Sequence, residues 1–165
     1  MKCKKTWPIL IILTSVFLWM ALIFYLSSQT ATDSSELSGH MIRKLAELLR
    51  PDFHSLVPAK QAQFIAGLQH IARKMAHALL YMILGILCMT AFLLGNKKRH
   101  AAVFSAALVC VGYAATDEVH QLFVPGRSGE LGDVMIDFCG SLAGILLVVL
   151  VNRVIGDSLT TSEHE

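Results

Sequence analysis

Charge is what this sequence has least of. Asp, Glu, Lys and Arg together make up 16 % of its 165 residues, where a soluble domain carries about 25 %. Apolar residues fill 55 % of the chain and the mean hydropathy is +0.59. That balance argues against a water-soluble globule and for a protein embedded in a bilayer.

Other absences narrow the function. The net charge of +2 is small and the basic residues fall in short, scattered groups, so there is no stripe to follow a nucleic-acid backbone. Cys3, Cys88, Cys110 and Cys139 have no CxxC or other zinc spacing. The last three lie in apolar runs, where a thiol behaves as a small hydrophobe. Cys3, set among Lys2, Lys4 and Lys5, reads as a plain cytoplasmic thiol. No phosphate-binding glycine loop, nucleophile elbow or HExxH motif occurs, and there is no internal repeat or low-complexity tract.

Long apolar runs are what the chain does have. Trp7–Leu26 is interrupted only by Thr14 and Ser15. As a helix it covers about 30 Å, the thickness of a hydrocarbon core, and it is longer than a signal-peptide core of about 7–15 residues. Ala76–Gly95 forms a second run. Ala101–Ala115 is short, but it becomes a span if the helix continues through "TDEVHQLF" to Phe123, ahead of Pro125-Gly126. Val134–Val151 is the fourth, broken only by Asp137 and Ser141. The expected fold is a single all-α polytopic membrane domain: a bundle of four transmembrane helices over 7–26, 76–95, 101–123 and 134–151.

Lys2, Lys4, Lys5, Lys97, Lys98, Arg99 and Arg153 all flank the same ends of these runs. The excess of basic residues beside cytoplasmic span ends then predicts that both termini face the cytoplasm. The loop 27–75 also carries basic residues, but its length weakens the rule there. In that extracytoplasmic loop, Asp33 and Glu36 form a capping-box-like start, and Leu37, Met41, Leu45, Leu48 and Leu49 recur at helical spacing before Pro51. After Pro58, residues from Phe64 to Met75 continue the same period straight into the second span. One or two amphipathic helices are expected here, on the membrane surface or roofing the bundle. The tail 152–165 reads as short and cytoplasmic, and its end, "DSLTTSEHE" over 157–165, as disordered.

Within this apolar chain, ionisable residues crowd at matching positions. "HIARKMAHALLY" aligns Arg73, His77 and Tyr81 on one helix face, with Lys74 adjacent. On the third span Tyr113, Asp117 and His120 or Gln121 share a face; on the fourth, Asp133, Asp137, Gly140 and Gly144 do. All three sets fall at the outer ends of their helices. Ionised groups at membrane depth cost about 2.5–3.5 kcal/mol each on insertion scales, so they should turn inward and find partners. Asp117, Glu118, Asp133 and Asp137 can face Arg73, Lys74 and Arg127, with His77 and His120 between them. Gly140, Ser141 and Gly144 would let the fourth span approach its neighbours closely.

Four stretches carry a resemblance to a known family: "YLSSQ" after the first span, "RKMAHALLYMILG" at the second, "YAATDEVHQLFVPGRSGELGDV" after the third and "DFCGSLAG" in the fourth. In order and spacing the chain resembles the VanZ family of small bacterial membrane proteins, over most of its length apart from residues 30–70. The resemblance implies an envelope protein of the bacterial cell membrane. The family's founding member is associated with low-level resistance to teicoplanin, a lipoglycopeptide that binds cell-wall precursors. The family has no settled catalytic chemistry. Many relatives have asparagine where this chain has Asp137, so a role needing a neutral amide is not carried over.

Two readings of the polar cluster stand side by side. It is an interhelical network that fixes packing, or it contacts a ligand, with Arg73, Lys74 and Arg127 suited to an anionic head group, a lipid-linked cell-wall precursor or the glycopeptide itself. A membrane-embedded hydrolase or transferase using Asp117, Glu118 and His120, with His77 as partner, is the secondary reading. A transporter subunit is disfavoured by the lack of Gly/Pro breaks within the spans. His77, Asp117, His120 and Asp133 offer nitrogen and oxygen ligands, yet Arg73 and Lys74 beside them would repel a cation, so neither metal nor cofactor is expected. Tyr81 and Tyr113 read as packing tyrosines with satisfied hydroxyls.

Overall fold

The computed structural model describes residues 6–126 and 129–161, and within these leaves the side chains of 31–38 and 156–161 undescribed. The described backbone is helical throughout its regular parts: α1 Trp7–Ser27, α2 Ala31–Leu49, a one-turn 3₁₀ helix Phe53–Ser55, α3 Pro58–Leu94, α4 Arg99–Gln121 and α5 Leu131–Thr161. Four helices are long and apolar enough to cross a membrane: α1, α3, α4 and α5 up to Ile155.

Local chemistry sets the helix ends. Pro8 and Pro58 sit in the first turns of α1 and α3, where a missing N–H costs nothing. Between α3 and α4 the chain reverses at Asn96, whose φ of 61° is left-handed. Lys97 N–H reaches back to the Phe92 carbonyl at 3.1 Å and Asn96 N–H to Leu93 at 2.9 Å, satisfying carbonyls that the helix end leaves over.

Two ends differ from expectation. The fourth helix stops at Gln121, short of Phe123. There Phe123 N–H bonds to His120 and Val124 N–H to Gln121, three residues back, so the last turn tightens before Pro125 is reached. The end 157–165, expected to be disordered, begins as helix, because α5 continues through Thr161; residues 162–165 lie outside those described. No proline interrupts that stretch, so the backbone ladder carries past the apolar run.

The α3–α5 pair is the centre of the bundle. The two helices run parallel, and glycines hold them at backbone contact. A Cβ added at Gly85 would strike the Ser141 main-chain carbonyl, one at Gly140 that of Ala78, and one at Gly144 that of Met82. On α4, Ala102, Ala106, Cys110 and Ala114 recur every fourth residue and are fully buried against this pair. Tyr81, Leu84, Met89 and Ile145 complete the core. Cys88 and Cys110 are buried free thiols, while Cys139 is exposed.

On the edge of the bundle, α1 is tied in by two side-chain bonds to main-chain carbonyls. Trp19 Nε1 donates to Leu80 at 2.9 Å, and the Tyr113 hydroxyl donates to Met20 at 2.6 Å. Leu10, Phe17 and Leu18 on its outer face are exposed, as a lipid-facing surface allows.

Among the described residues, helix α2 makes its main contacts with α3 rather than across the end of the bundle. It buries Ile42 and Ala46 as it packs against α3 and the 3₁₀ turn, and it exposes Met41 and Leu48. This two-sided pattern suits a helix lying in the interface. Phe53 anchors the turn, fully buried with its ring 6.3 Å from Phe64. The second amphipathic segment is not separate, because residues 58–75 are the first half of α3 itself.

Candidate functional site

One end of the bundle gathers the ionisable residues. Successive turns of α3 carry Lys74, His77 and Tyr81; α4 ends in Asp117, Glu118, His120 and Gln121; α5 begins with Asp133 and Asp137. Because α3 and α5 run parallel at glycine contact, their polar residues meet in order. Lys74 Nζ lies 2.6 Å from Asp133 Oδ1, and His77 Nδ1 lies 3.7 Å from Asp137 Oδ2. From the other side Asp117 Oδ2 comes to 4.0 Å from the same His77 nitrogen. Asp117 and Asp137 are buried, at 3 % and 1 % exposure.

A fourth helix contributes, which the face-by-face reading of the ionisable residues missed. Ser27, the last residue of α1, donates from Oγ to Asp117 Oδ2 at 2.7 Å. Gln121 Nε2 approaches both Ser27 Oγ, at 3.3 Å, and Asp117 Oδ2, at 3.5 Å. Ser28 Oγ shares a 3.2 Å hydrogen bond with His120 Nε2, and the His120 ring stacks at a tilt on Phe24 with centroids 4.3 Å apart. The signal was there in "YLSSQ": paired hydroxyls at the end of an apolar run have no reason to face lipid.

The remaining residues divide. Glu118 accepts the backbone N–H of Glu130 with Oε1, steadying the chain just before α5. Glu130 was also missed; its Oε2 lies 3.5 Å from Lys74 Nζ. His120 and Asp133 do not join His77 and Asp117, so the four-residue ligand set considered from sequence is not assembled. Instead His77, Asp117 and Asp137 bring one potential ligand atom each within 4.8 Å of the others. Arg73 pairs with no carboxylate among the described residues; its Nη2 is 3.4 Å from His70 Nδ1. Arg127 lies outside the described residues. For Tyr81 the expectation of a satisfied hydroxyl is overturned, since it is fully buried without a hydrogen-bond partner. Its ring contacts Tyr113, centroids 6.1 Å apart, and Tyr113 has already spent its own hydroxyl proton on Met20.

A small cavity opens beside this cluster, lined by Arg73, Lys74, His77, Gln121, Asp133, Ile136 and Asp137. Its volume of about 10 Å³ is close to the minimum for one water molecule. Asp117 Oδ1 and Asp137 Oδ1 are buried with no hydrogen-bond donor. The network is therefore closed at Lys74–Asp133 and open at His77. A polar cluster with unpartnered buried oxygens next to a water-sized opening can hold a small polar species that its own pairs do not saturate.

A family profile described as VanZ/LLP1 matches residues 12–152. The chain belongs to the VanZ/LLP1 family. That match includes every residue of the cluster, from Ser27 to Asp137. No curated protein matches this VanZ-family chain, and no solved structure does.

Proposed function

We propose that this VanZ-family protein uses the polar end of its bundle to engage an anionic, lipid-linked ligand at the outer leaflet of a bacterial cell membrane, and thereby alters susceptibility to lipoglycopeptides such as teicoplanin. The observation that carries this reading is Arg73. It lines the cavity with its guanidinium unpaired by any described carboxylate, while the charge of its neighbour Lys74 is taken up by Asp133 and Glu130. An unneutralised arginine at the membrane–water boundary is suited to bidentate contact with phosphate. The cavity is far too small for a glycopeptide, which favours the head group of a lipid-linked cell-wall precursor docking at its mouth. In this reading both termini face the cytoplasm, and the exposed apolar side of α2 rests on the outer surface beside the site.

Catalysis by Asp117, Glu118 and His120 draws less support. Their polar atoms are directed to Ser27, to the Glu130 N–H and to Ser28 respectively, rather than to a common point.

The test is expression of the wild-type chain, Arg73→Gln and Asp117→Asn at matched membrane levels in a glycopeptide-susceptible Gram-positive host. The wild type should raise the minimum inhibitory concentration of teicoplanin more than that of vancomycin, and Arg73→Gln should abolish the rise. An unchanged susceptibility on expressing the wild type sinks the envelope reading.

A further inference from the structure

We infer that His77, Asp117 and Asp137 form a binding site for one divalent transition-metal cation, buried at the α3–α4–α5 junction. The inference stands apart from the lipid-ligand reading and does not depend on it. Three observations carry it.

The first is geometry. Zinc sits about 2.0–2.2 Å from histidine nitrogen and carboxylate oxygen, which puts ligand atoms about 3–4 Å apart around it. His77 Nδ1 is 3.7 Å from Asp137 Oδ2 and 4.0 Å from Asp117 Oδ2. Those separations are too long for direct hydrogen bonds and right for atoms facing a shared ion.

The second is the set of polar atoms left over. Asp117 Oδ1 and Asp137 Oδ1 are buried without a donor, and so is the hydroxyl of Tyr81, one turn beyond His77. A buried polar atom left unpaired costs about 1–3 kcal/mol, and three at one junction call for a common partner. A cation held by the imidazole and both carboxylates, with a bound water as hydrogen-bond donor, supplies partners that the side chains alone do not. The adjoining cavity, lined by His77 and Asp137 and sized for a single water, leaves a coordination position open.

The third is charge. Two carboxylates at membrane depth are costly, and a neutral imidazole with a divalent cation cancels both. Of the basic neighbours among the described residues, Lys74 is neutralised by Asp133 and Glu130, which leaves Arg73 as the one positive charge that the two carboxylates have to outweigh. Ser27 and Gln121 bond to Asp117 Oδ2 and fix that carboxylate's orientation, the outer support that metal-ligating carboxylates usually have. One imidazole and two carboxylates suit Zn²⁺ or Mn²⁺ better than Ca²⁺ or Mg²⁺.

The experiment uses full-length protein purified in detergent without a histidine tag, stripped with chelator, and titrated separately with Zn²⁺, Mn²⁺, Mg²⁺ and Ca²⁺ by calorimetry. One equivalent of Zn²⁺ or Mn²⁺ should bind, with affinity reduced at least tenfold in His77→Gln and in Asp137→Asn and unchanged in His120→Gln. Wild-type protein loaded with Co²⁺ should show visible d–d bands that Zn²⁺ displaces, a readout that holds even where a variant does not fold. Absence of stoichiometric binding, binding only of Mg²⁺ or Ca²⁺, or equal affinity in folded His77→Gln overturns the site.

Discussion

Ser27 at the end of α1 donates a 2.7 Å hydrogen bond to Asp117 near the end of α4, joining two helices whose other contacts are few. Both residues are buried, so water offers neither an alternative partner. Hydrogen bonds between membrane helices contribute about 0.6–2 kcal/mol. Ser27→Ala should lower stability by about that amount, measured by thermal unfolding in detergent. A double-mutant cycle with Asp117→Asn should show coupling between the two positions, and additive effects would mean the bond is not formed.

The α3–α5 contact makes a sharper prediction. At Gly144 an added methyl meets the Met82 carbonyl, a main-chain atom that cannot swing aside. Overpacking of this kind costs about 1–3 kcal/mol. Gly112, on α4, has nothing within 4 Å of the same position. There alanine should be neutral or stabilise by up to about 1 kcal/mol, because glycine is a poor helix former. Gly144→Ala and Gly112→Ala compared in one thermal melt separate close packing from helix propensity, and equal effects would refute the close approach.

Lys74 and Asp133 are partly exposed, at 24 % and 27 % for their side chains. Their pair therefore contributes only modestly to stability, because solvent screens it. Lys74→Met should shift the melting temperature slightly downward, and less in high salt than in low. If Lys74 instead served the ligand while Arg73 was structural, Lys74→Met would abolish the teicoplanin effect and Arg73→Gln would spare it.

Topology has its own test. Lys97, Lys98, Arg99 and Arg153 lie at the helix ends opposite to the His77 cluster. A green fluorescent protein fused after residue 165 should fluoresce, and alkaline phosphatase fused there should be inactive. A phosphatase inserted near residue 56, in the turn before α3, should be active. The reverse pattern would put the polar cluster on the cytoplasmic side and remove the outer-leaflet ligand.

Much of this was legible in the amino-acid sequence because it depends on local properties. Four apolar runs, a helical period in the first loop and ionisable residues at matched heights need only the count of residues per turn and the cost of charge in lipid. The helix faces joining Arg73 to His77 and Asp133 to Asp137 follow from the same arithmetic. What α1 does was hidden, because serine is neutral and its place in the cluster shows only once Asp117 is opposite. The unpartnered Tyr81 hydroxyl was hidden as well, since satisfaction is decided by neighbours that are distant in the chain.

By itself, then, the order of residues determined an all-helical membrane bundle with its polar groups drawn to one end. Only the tertiary structure decided who meets whom. Gly85, Gly140 and Gly144 let α3 and α5 touch along their backbones, and that contact sets the register between them. In this register Asp133 faces Lys74 and forms a closed pair, while Asp137, one turn further, faces His77 and shares it with Asp117. A slip of one turn would exchange those partners, and nothing along either helix alone could forbid it.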